Sequence, residues 1–516
     1  MRFLSGLWLL LVPAALAAQS PATVKRAVGS ITPEDVRRRI GILADDSMRG
    51  RDTPSPEIEK VANYIAGEFR RFGLKPGGDG GTYFQRYGIL RQQVDTSMSF
   101  LLVGGPKSVT LKPGADVNLI RVGQPLPVRD VTGPVVLFTG PADSTDPLGG
   151  ADVKGTWVAR FATATPEGVP VDVPFLRAAV QAGAVGMLII SDRPDAQWQN
   201  RLGRVLTPGL VLESDTPSDT ATIPGLVEVR DGTAASAFGI EPPTLRAAPA
   251  HGVRRLEGVT LTLRVRQRVL SQATAPNVIG ILEGSDPKLK HEYIFFTAHM
   301  DHVGVAGPNG TGGCRAQGAD SICNGADDDA SGTVAVIENA EAFSRLSPRP
   351  KRSLVFMTVS GEEKGLWGSQ FFSDHPTLPL ADIVADLNAD MVGRNWTDTI
   401  AVIGKEHSDL GATLNRVSAA HPELRMSPID DIWPQENFYF RSDHYNFARK
   451  GVPILFFFNG THPDYHQVSD SPDKIDAEKE SRIIKLVFYL GLDVANAAVR
   501  PQWNEDSYRR VVQAAR

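Results

Sequence analysis

Four apolar runs limit what the second half of this chain can become: "YIFFTA" over 293–298, "SLVFMTVS" over 353–360, "IVADLNAD" over 383–390 and "VPILFFF" over 452–458. Each is short and largely apolar, which is the pattern of a strand. Helical segments lie between them, so the expected architecture is a sheet flanked by helices. The first three runs end at or just before an acid or a histidine. Ligands of open α/β sheets bind beyond the carboxyl ends of strands, which makes those polar termini site candidates.

The chain has 516 residues, 42% of them hydrophobic and 22% charged, enough for one large core and, by expectation, two domains. A net charge of -5 with no long single-sign run argues against nucleic-acid or polybasic membrane partners. Residues 1–18 combine Arg2, an apolar stretch from Phe3 to Leu16 and small Ala15, Ala17 and Ala18, the pattern of a secretory signal peptide cut after Ala17 or Ala18. That stretch is short for a membrane anchor and is broken by Pro13. No later segment has the length of a membrane span, so a soluble secreted or periplasmic protein is expected, its oligomeric state open. The two cysteines, Cys314 and Cys323, share one glycine-rich stretch. In an oxidising compartment they read as a local disulfide worth roughly 2–3 kcal/mol; a zinc-binding pair is the alternative.

Residues 30–128 are expected to open the main domain, with amphipathic helices between Thr32 and Gly73 announced by "ITPEDV" and "SPEIEKV". From 129 to 254 the texture changes to short runs such as "GPVVLFTG" and "GTWVARFA" punctuated by Gly and Pro, which reads as a β-rich insert. The main domain then resumes over 255–498, and 499–516 is expected to be a C-terminal tail.

The polar residues at the strand ends come in order: His299 and Asp301 in "AHMDH", Asp327, Asp328 and Asp329 in "GADDDASG", Glu362 and Glu363 in "SGEEKG", Asp390 in "NADMVG" and His466 in "PDYHQV". Three adjacent acids without a nearby base need water or a cation between them. Two imidazoles and three carboxylates suffice for a pair of divalent cations, which ease peptide hydrolysis by acidifying water and polarising the carbonyl. One further carboxylate is then needed to carry the proton to the leaving amine. Glu362 and Glu363 suit that division, because adjacent side chains diverge.

This ordered set resembles the clan MH dizinc metallopeptidases, the secreted aminopeptidases and glutamate carboxypeptidases, closely over 280–490 and loosely over 30–75. The separations agree with the family's: 34 residues from Asp328 to Glu362 and 27 from Glu363 to Asp390. The resemblance implies a three-layer α/β/α mixed-sheet fold, two Zn2+ (with Co2+ or Mn2+ as alternatives) and peptide substrates. It implies that His299, Asp328 and Asp390 hold one zinc and Asp328, Glu363 and His466 the other, Asp328 being the bridge. It further implies Glu362 as the general base, Asp301 as the acceptor orienting the His299 ring, and a non-proline cis peptide after the bridging acid. Tyr439 resembles the tyrosine that bonds the reaction oxyanion in relatives. The insert resembles a protease-associated domain, acting as a lid or exosite or merely as a packing module.

Aminopeptidase action is the leading expectation. The runner-up is a glutamate-releasing carboxypeptidase or dipeptidase, for which Arg394 and Arg441 are candidate carboxylate binders. A single-zinc glutaminyl cyclase is a third reading. A receptor-like ectodomain with lost ligands is disfavoured, since every expected position is intact. Consecutive Ser442, Asp443 and His444 cannot easily reach the geometry of a hydrolase triad. His302, His444 and His462 are expected to be structural or peripheral. The loop from 303 to 326 is expected at the surface beside the metals.

Overall fold

Thr32 and Ser55 each precede a proline at the first helical position, and their hydroxyls accept the N–H groups of Asp35 and Ile58 (both 3.1 Å), fixing where two N-terminal helices begin. These are α2 (Pro33–Leu43) and α3 (Pro56–Arg71), after a short α1 (Pro21–Val28). A computed structural model describes residues 19–105, 108–120, 130–139, 146–162, 172–215, 225–240, 252–307 and 312–513. The expected leader, 1–18, lies outside them.

The chain divides into two compact units, one of residues 1–87 and 274–516, the other of 88–273. In the first, seven strands of a ten-stranded sheet frame the site: β1 (Gln267–Leu282), β2 (Tyr293–His299), β3 (Ser353–Val359), β4 (Ile383–Ala389), β5 (Thr399–Ile403), β6 (Ser427–Ile429) and β7 (Ile454–Phe458). They lie in the order β6-β5-β7-β4-β2-β3-β1. Neighbours among β7, β4, β2 and β3 run parallel, whereas β1 pairs antiparallel with β3 and β5 with β7, giving the expected mixed sheet. Burial splits each strand by its pleat. Ile294, Phe296, Ala298, Leu354 and Phe356 join one core, Phe295, Val355, Met357 and Val359 the other. The first core is covered by α1–α3, α4 (Gly332–Ser344), and two further helices, Leu410–Ala420 and Ala477–Asn496. The second is covered by residues from Trp367–Asp374 and His444–Ala448.

The expected C-terminal tail is part of this unit. Val511 and Val512 are buried in the second core, and the Trp503 indole N–H donates to the carbonyl of Gly451 (2.9 Å).

The other unit is an eight-stranded mixed sheet in the order 109–111, 100–104, 253–264, 131–138, 157–162, 186–191, 225–230, 118–119. The insert expected over 129–254 is therefore wider, at 88–273. Strand Val253–Arg264 pairs with Phe100–Gly104 on one side and Val131–Phe138 on the other, so pairing between distant segments, invisible in local texture, sets the boundary.

Asp386 sits in the middle of β4, wholly buried, 2.7 Å from the Thr297 hydroxyl, which also lies 2.8 Å from the Asn388 carbonyl oxygen. That hydroxyl has one hydrogen for two neighbours, so a protonated Asp386 completes the chain by donating to it. Burial raises the Asp386 carboxyl from 3.8 to about 8. Since the folded value lies above the unfolded one, the stabilising effect is full below about pH 4 and is lost as pH rises through about 8, at up to ~1.4 kcal/mol per unit. Urea unfolding between those limits should show this slope in the native chain and not in Asp386→Asn; equal pH dependence in both would refute it.

Candidate metal centre

Each of the three consecutive acids has its own task. They lie in an irregular turn, Ala326–Ser331, leading into α4. Asp327 Oδ1 accepts the N–H of Gly393 (2.6 Å), and its Oδ2 lies 3.2 Å from His462 Nε2. Asp329 accepts the N–H groups of Gly332 (2.8 Å), Met391 (3.1 Å) and His299 (3.2 Å), tying the turn to the ends of β2 and β4. Asp328 turns one carboxylate oxygen to each of two histidines, Oδ1 being 3.4 Å from His299 Nε2 and Oδ2 3.1 Å from His466 Nε2. The Asp328–Asp329 peptide is cis. Asp470 accepts the N–H groups of both Asp327 and Asp328 (3.1 Å each).

Because β2, β3, β4 and β7 are parallel, their carboxyl ends share one edge. His299 ends β2, Glu362 and Glu363 follow β3, Asp390 follows β4, and His466 lies in the loop after β7. Two groups result. His299, Asp328 and Asp390 each offer one ligand atom within 4.8 Å of the others, as do His302, Asp328 and Glu363. His466 Nε2 belongs beside the second group, 3.2 Å from Glu363 Oε2. His302, expected to be peripheral, has its Nδ1 3.0 Å from Glu363 Oε1 and 3.6 Å from Asp328 Oδ2. Spacing in the sequence gave no sign of this, because His302 is brought in by the turn after Asp301.

Asp328 Oδ2, Glu363 Oε1, both His302 nitrogens and His466 Nε2 are buried without a hydrogen-bond partner. Nitrogen and carboxylate donors so crowded, yet unsatisfied, fit a divalent cation of the zinc type. The Asp328 carboxylate is held well below its usual range: burial opposes this, but His302, His299 and His466 outweigh it. Burial and then the neighbouring Glu363, against the pull of His299, drive Glu362 well upward. A bound cation would act on both in the downward direction.

The His299 Nδ1 meets the Asp301 carbonyl oxygen at 3.2 Å, while the Asp301 carboxylate, expected to orient that ring, is 3.7 Å away. That carboxylate instead accepts the N–H of Glu362 (3.2 Å) and so holds the loop of the expected base. Ser442 donates to Asp390 (2.9 Å), Ser369 donates to Asp443 and His444 Nε2 faces the Tyr439 carbonyl (2.9 Å), so these neighbours have separate partners and form no triad.

A small pocket opens on the centre, lined by His299, Asp328, Glu362 and Asp390, by apolar Met391, Phe438, Phe456 and Phe458, and by Arg441, Ser442, Thr461 and Tyr465. Tyr439 is not in its wall. Its ring is buried against His407 (centroids 4.5 Å apart) and His444 (5.6 Å). Tyr465 occupies the wall instead, and the carboxylates of Asp328, Glu363, Asp390 and Glu362 add to burial in raising its hydroxyl. Arg394 is tied to Asp464 (2.9 Å), whereas Arg441 is half-exposed at the pocket, its guanidinium 4.7 Å from the Phe438 ring centre.

The glycine-rich loop is packed where described. Cys314 and Cys323 form a disulfide, buried with Val303 and Val468 under the loop that carries His466.

Residues 277–491, the segment holding every expected ligand, match the model of peptidase family M28. The matched segment makes up about two fifths of the chain. Its relatives include a probable leucine aminopeptidase of Trichophyton verrucosum, 26% identical over 234 residues that make up 43% of this chain and 59% of that protein. Another is leupeptin-inactivating enzyme 1 of Streptomyces exfoliatus, 31% identical over 140 residues, 27% of each chain. The chain thus spans about three fifths of the length of the fungal relatives it matches. Among solved structures, an aminopeptidase from Aneurinibacillus sp. strain AM-1 aligns over 93% of this chain and 97% of its own, with 21% identity and a TM-score of 0.49.

There is no room at the start of α4. A Cβ on Gly332 would lie 2.2 Å from the Ala389 carbonyl oxygen and 2.4 Å from Asp329 Oδ1. Gly332→Ala should therefore push the Asp329 turn off β4 and destabilise the protein by about 2 kcal/mol or more. Denaturant unfolding checks this, and an unchanged midpoint would show that the turn yields freely.

Proposed function

We propose that this chain is a secreted dizinc exopeptidase that hydrolyses N-terminal residues from peptides. The observation that carries the reading is the Asp328 carboxylate, one oxygen facing His299 and the other His466 and His302. A carboxylate shared between two donor groups is what a cation pair needs and a single cation does not, which speaks against the glutaminyl cyclase alternative. His299, Asp328 and Asp390 would hold one zinc, and Asp328, Glu363 and His466 the other, with His302 standing against Glu363.

Bound there, zinc would supply Lewis acidity for the scissile carbonyl and would acidify water. Glu362 takes the proton from the attacking water and returns it to the departing amine; the upward drive on its carboxyl suits a group that must bind that proton transiently. Asp301 keeps Glu362 in place through its backbone N–H. Ser442 fixes the orientation of Asp390. Met391, Phe438, Phe456 and Phe458 exclude water and favour an apolar side chain at the cleavage site. Tyr465, rather than Tyr439, is placed to donate to the carbonyl oxygen as it gains charge.

The leucine aminopeptidase description of the fungal relatives supports N-terminal action. Arg441 at the pocket favours one second reading, the removal of residues from peptides or dipeptides bearing a nearby carboxylate. Export is supported by the sequence of residues 1–18 and by the disulfide, and among the described residues no helix is long and apolar enough to cross a membrane. The insert expected over 129–254 is proposed as a protease-associated domain on the resemblance of its sequence to such domains.

Metal analysis should find two zinc ions per chain, leucine-4-nitroanilide should be cleaved in preference to acidic C-terminal dipeptides, and chelation should abolish that cleavage. One zinc per chain, or the reverse preference, would replace this reading. Glu362→Gln should keep both metals while kcat falls about 10^2–10^4-fold; near-native turnover would remove Glu362 from the role of base.

A further inference from the structure

The M28 match begins at 277, yet the loops that bear the ligands are gripped by a segment more than 200 residues earlier in the chain. Residues 49–51 turn sharply, with φ of 44° at Arg49, 65° at Gly50 and 38° at Arg51. Left-handed backbone at two arginines is held only where the surroundings impose it. Gly50 approaches so closely that a Cβ there would lie 2.4 Å from the Gly304 carbonyl oxygen and 2.5 Å from that of Cys323. Thr53 Oγ1 accepts the N–H of Gly361 (3.1 Å), next to Glu362.

Arg51 is the centre of this grip. It is 1% exposed, and its guanidinium spends its donors on backbone carbonyl oxygens. Nε donates to Met300 (2.9 Å), Nη2 to Gly325 (2.6 Å) and Asp328 (3.2 Å), and Nη1 to Asn324 and, more weakly, Leu43 (3.4 Å). Met300 adjoins His299, and the other main acceptors flank or include the shared acid. On the opposite side, Asp470 takes the N–H groups of Asp327 and Asp328. The turn is thus clamped by a cation on its carbonyls and a carboxylate on its amides. A rigid fork of N–H groups can hold several carbonyls at once, which an ammonium on a flexible stem cannot.

We infer that Arg51 is a positioning residue of the metal centre, holding the Asp328 carboxylate and the His299 loop in register before a cation binds. This rests on the zinc reading above. A purely packing role would affect stability without affecting metal affinity. Arg39 provides the comparison: it is equally buried, but pairs with Glu338, Glu341 and Glu68 between α2, α3 and α4.

The test measures zinc affinity by chelator competition on metal-free protein, together with the melting temperature of that metal-free form, for Arg51→Lys, Arg51→Ala and Arg39→Lys. Arg51→Lys should weaken binding of at least one zinc about 10–100-fold, the range for groups that orient ligands, with kcat lowered more than KM is raised. Guanidinium added to Arg51→Ala should restore part of the zinc affinity. Arg39→Lys should lower the melting temperature and leave zinc affinity as in the native chain. Native zinc affinity in both Arg51 variants would overturn the inference, as would a loss that Arg39→Lys reproduces at equal destabilisation. Should neither Arg51 variant fold, Gly50→Ala decides, since it displaces the strap and keeps the guanidinium: weakened zinc binding supports the inference and native binding overturns it. Failure of the zinc reading is distinguishable, because the native chain itself would then bind no zinc tightly.

Discussion

Five carboxylates at one edge of a buried sheet are the constraint on which the rest of the structure depends. Asp327, Asp328, Asp329, Glu363 and Asp390 are all largely shielded from water, and like charges so close cannot all stay ionised unaided. The fold answers in two ways. Asp329 is satisfied by main-chain N–H groups from the ends of β2 and β4, and one oxygen of Asp327 accepts the N–H of Gly393, which makes both part of the framework. Asp328, Glu363 and Asp390 are left facing imidazoles, and Asp328 Oδ2 and Glu363 Oε1 are buried without a hydrogen-bond partner. The second group is the one that calls for cations.

The parallel strands explain why this arrangement is affordable. Four carboxyl ends at one edge deliver five side chains from segments far apart in sequence without any long excursion of the backbone. Helices cover both faces, Asp301 and Ser442 each fix a loop through one hydrogen bond, and Asp470 holds the acidic turn through two N–H groups. Most of the precision of the centre comes from this surrounding layer.

The strands, the helices at 32–73 and the convergence of His299, Asp328, Glu362, Glu363, Asp390 and His466 were legible in the sequence, because period, capping residues and ordered spacing are local signals. What escaped is what depends on a turn's three-dimensional path. His302 looks like any histidine until the chain bends after Asp301. Tyr439 and Tyr465 are equally good tyrosines on paper, and only the burial of Tyr439 between His407 and His444 separates them. The insert's true limits were hidden for the same reason, since the strand at 253–264 finds a partner at 100–104, outside the stretch with the telling composition.

The contacts of Arg51 join residues 249 to 277 positions apart, with a separate unit of the chain standing between them. During synthesis the N-terminal strap leaves the ribosome long before its acceptors exist. The strap must therefore wait for the loops it holds, and a product lacking its first fifty or so residues would keep every side chain of the candidate centre yet lack the scaffold that arranges them.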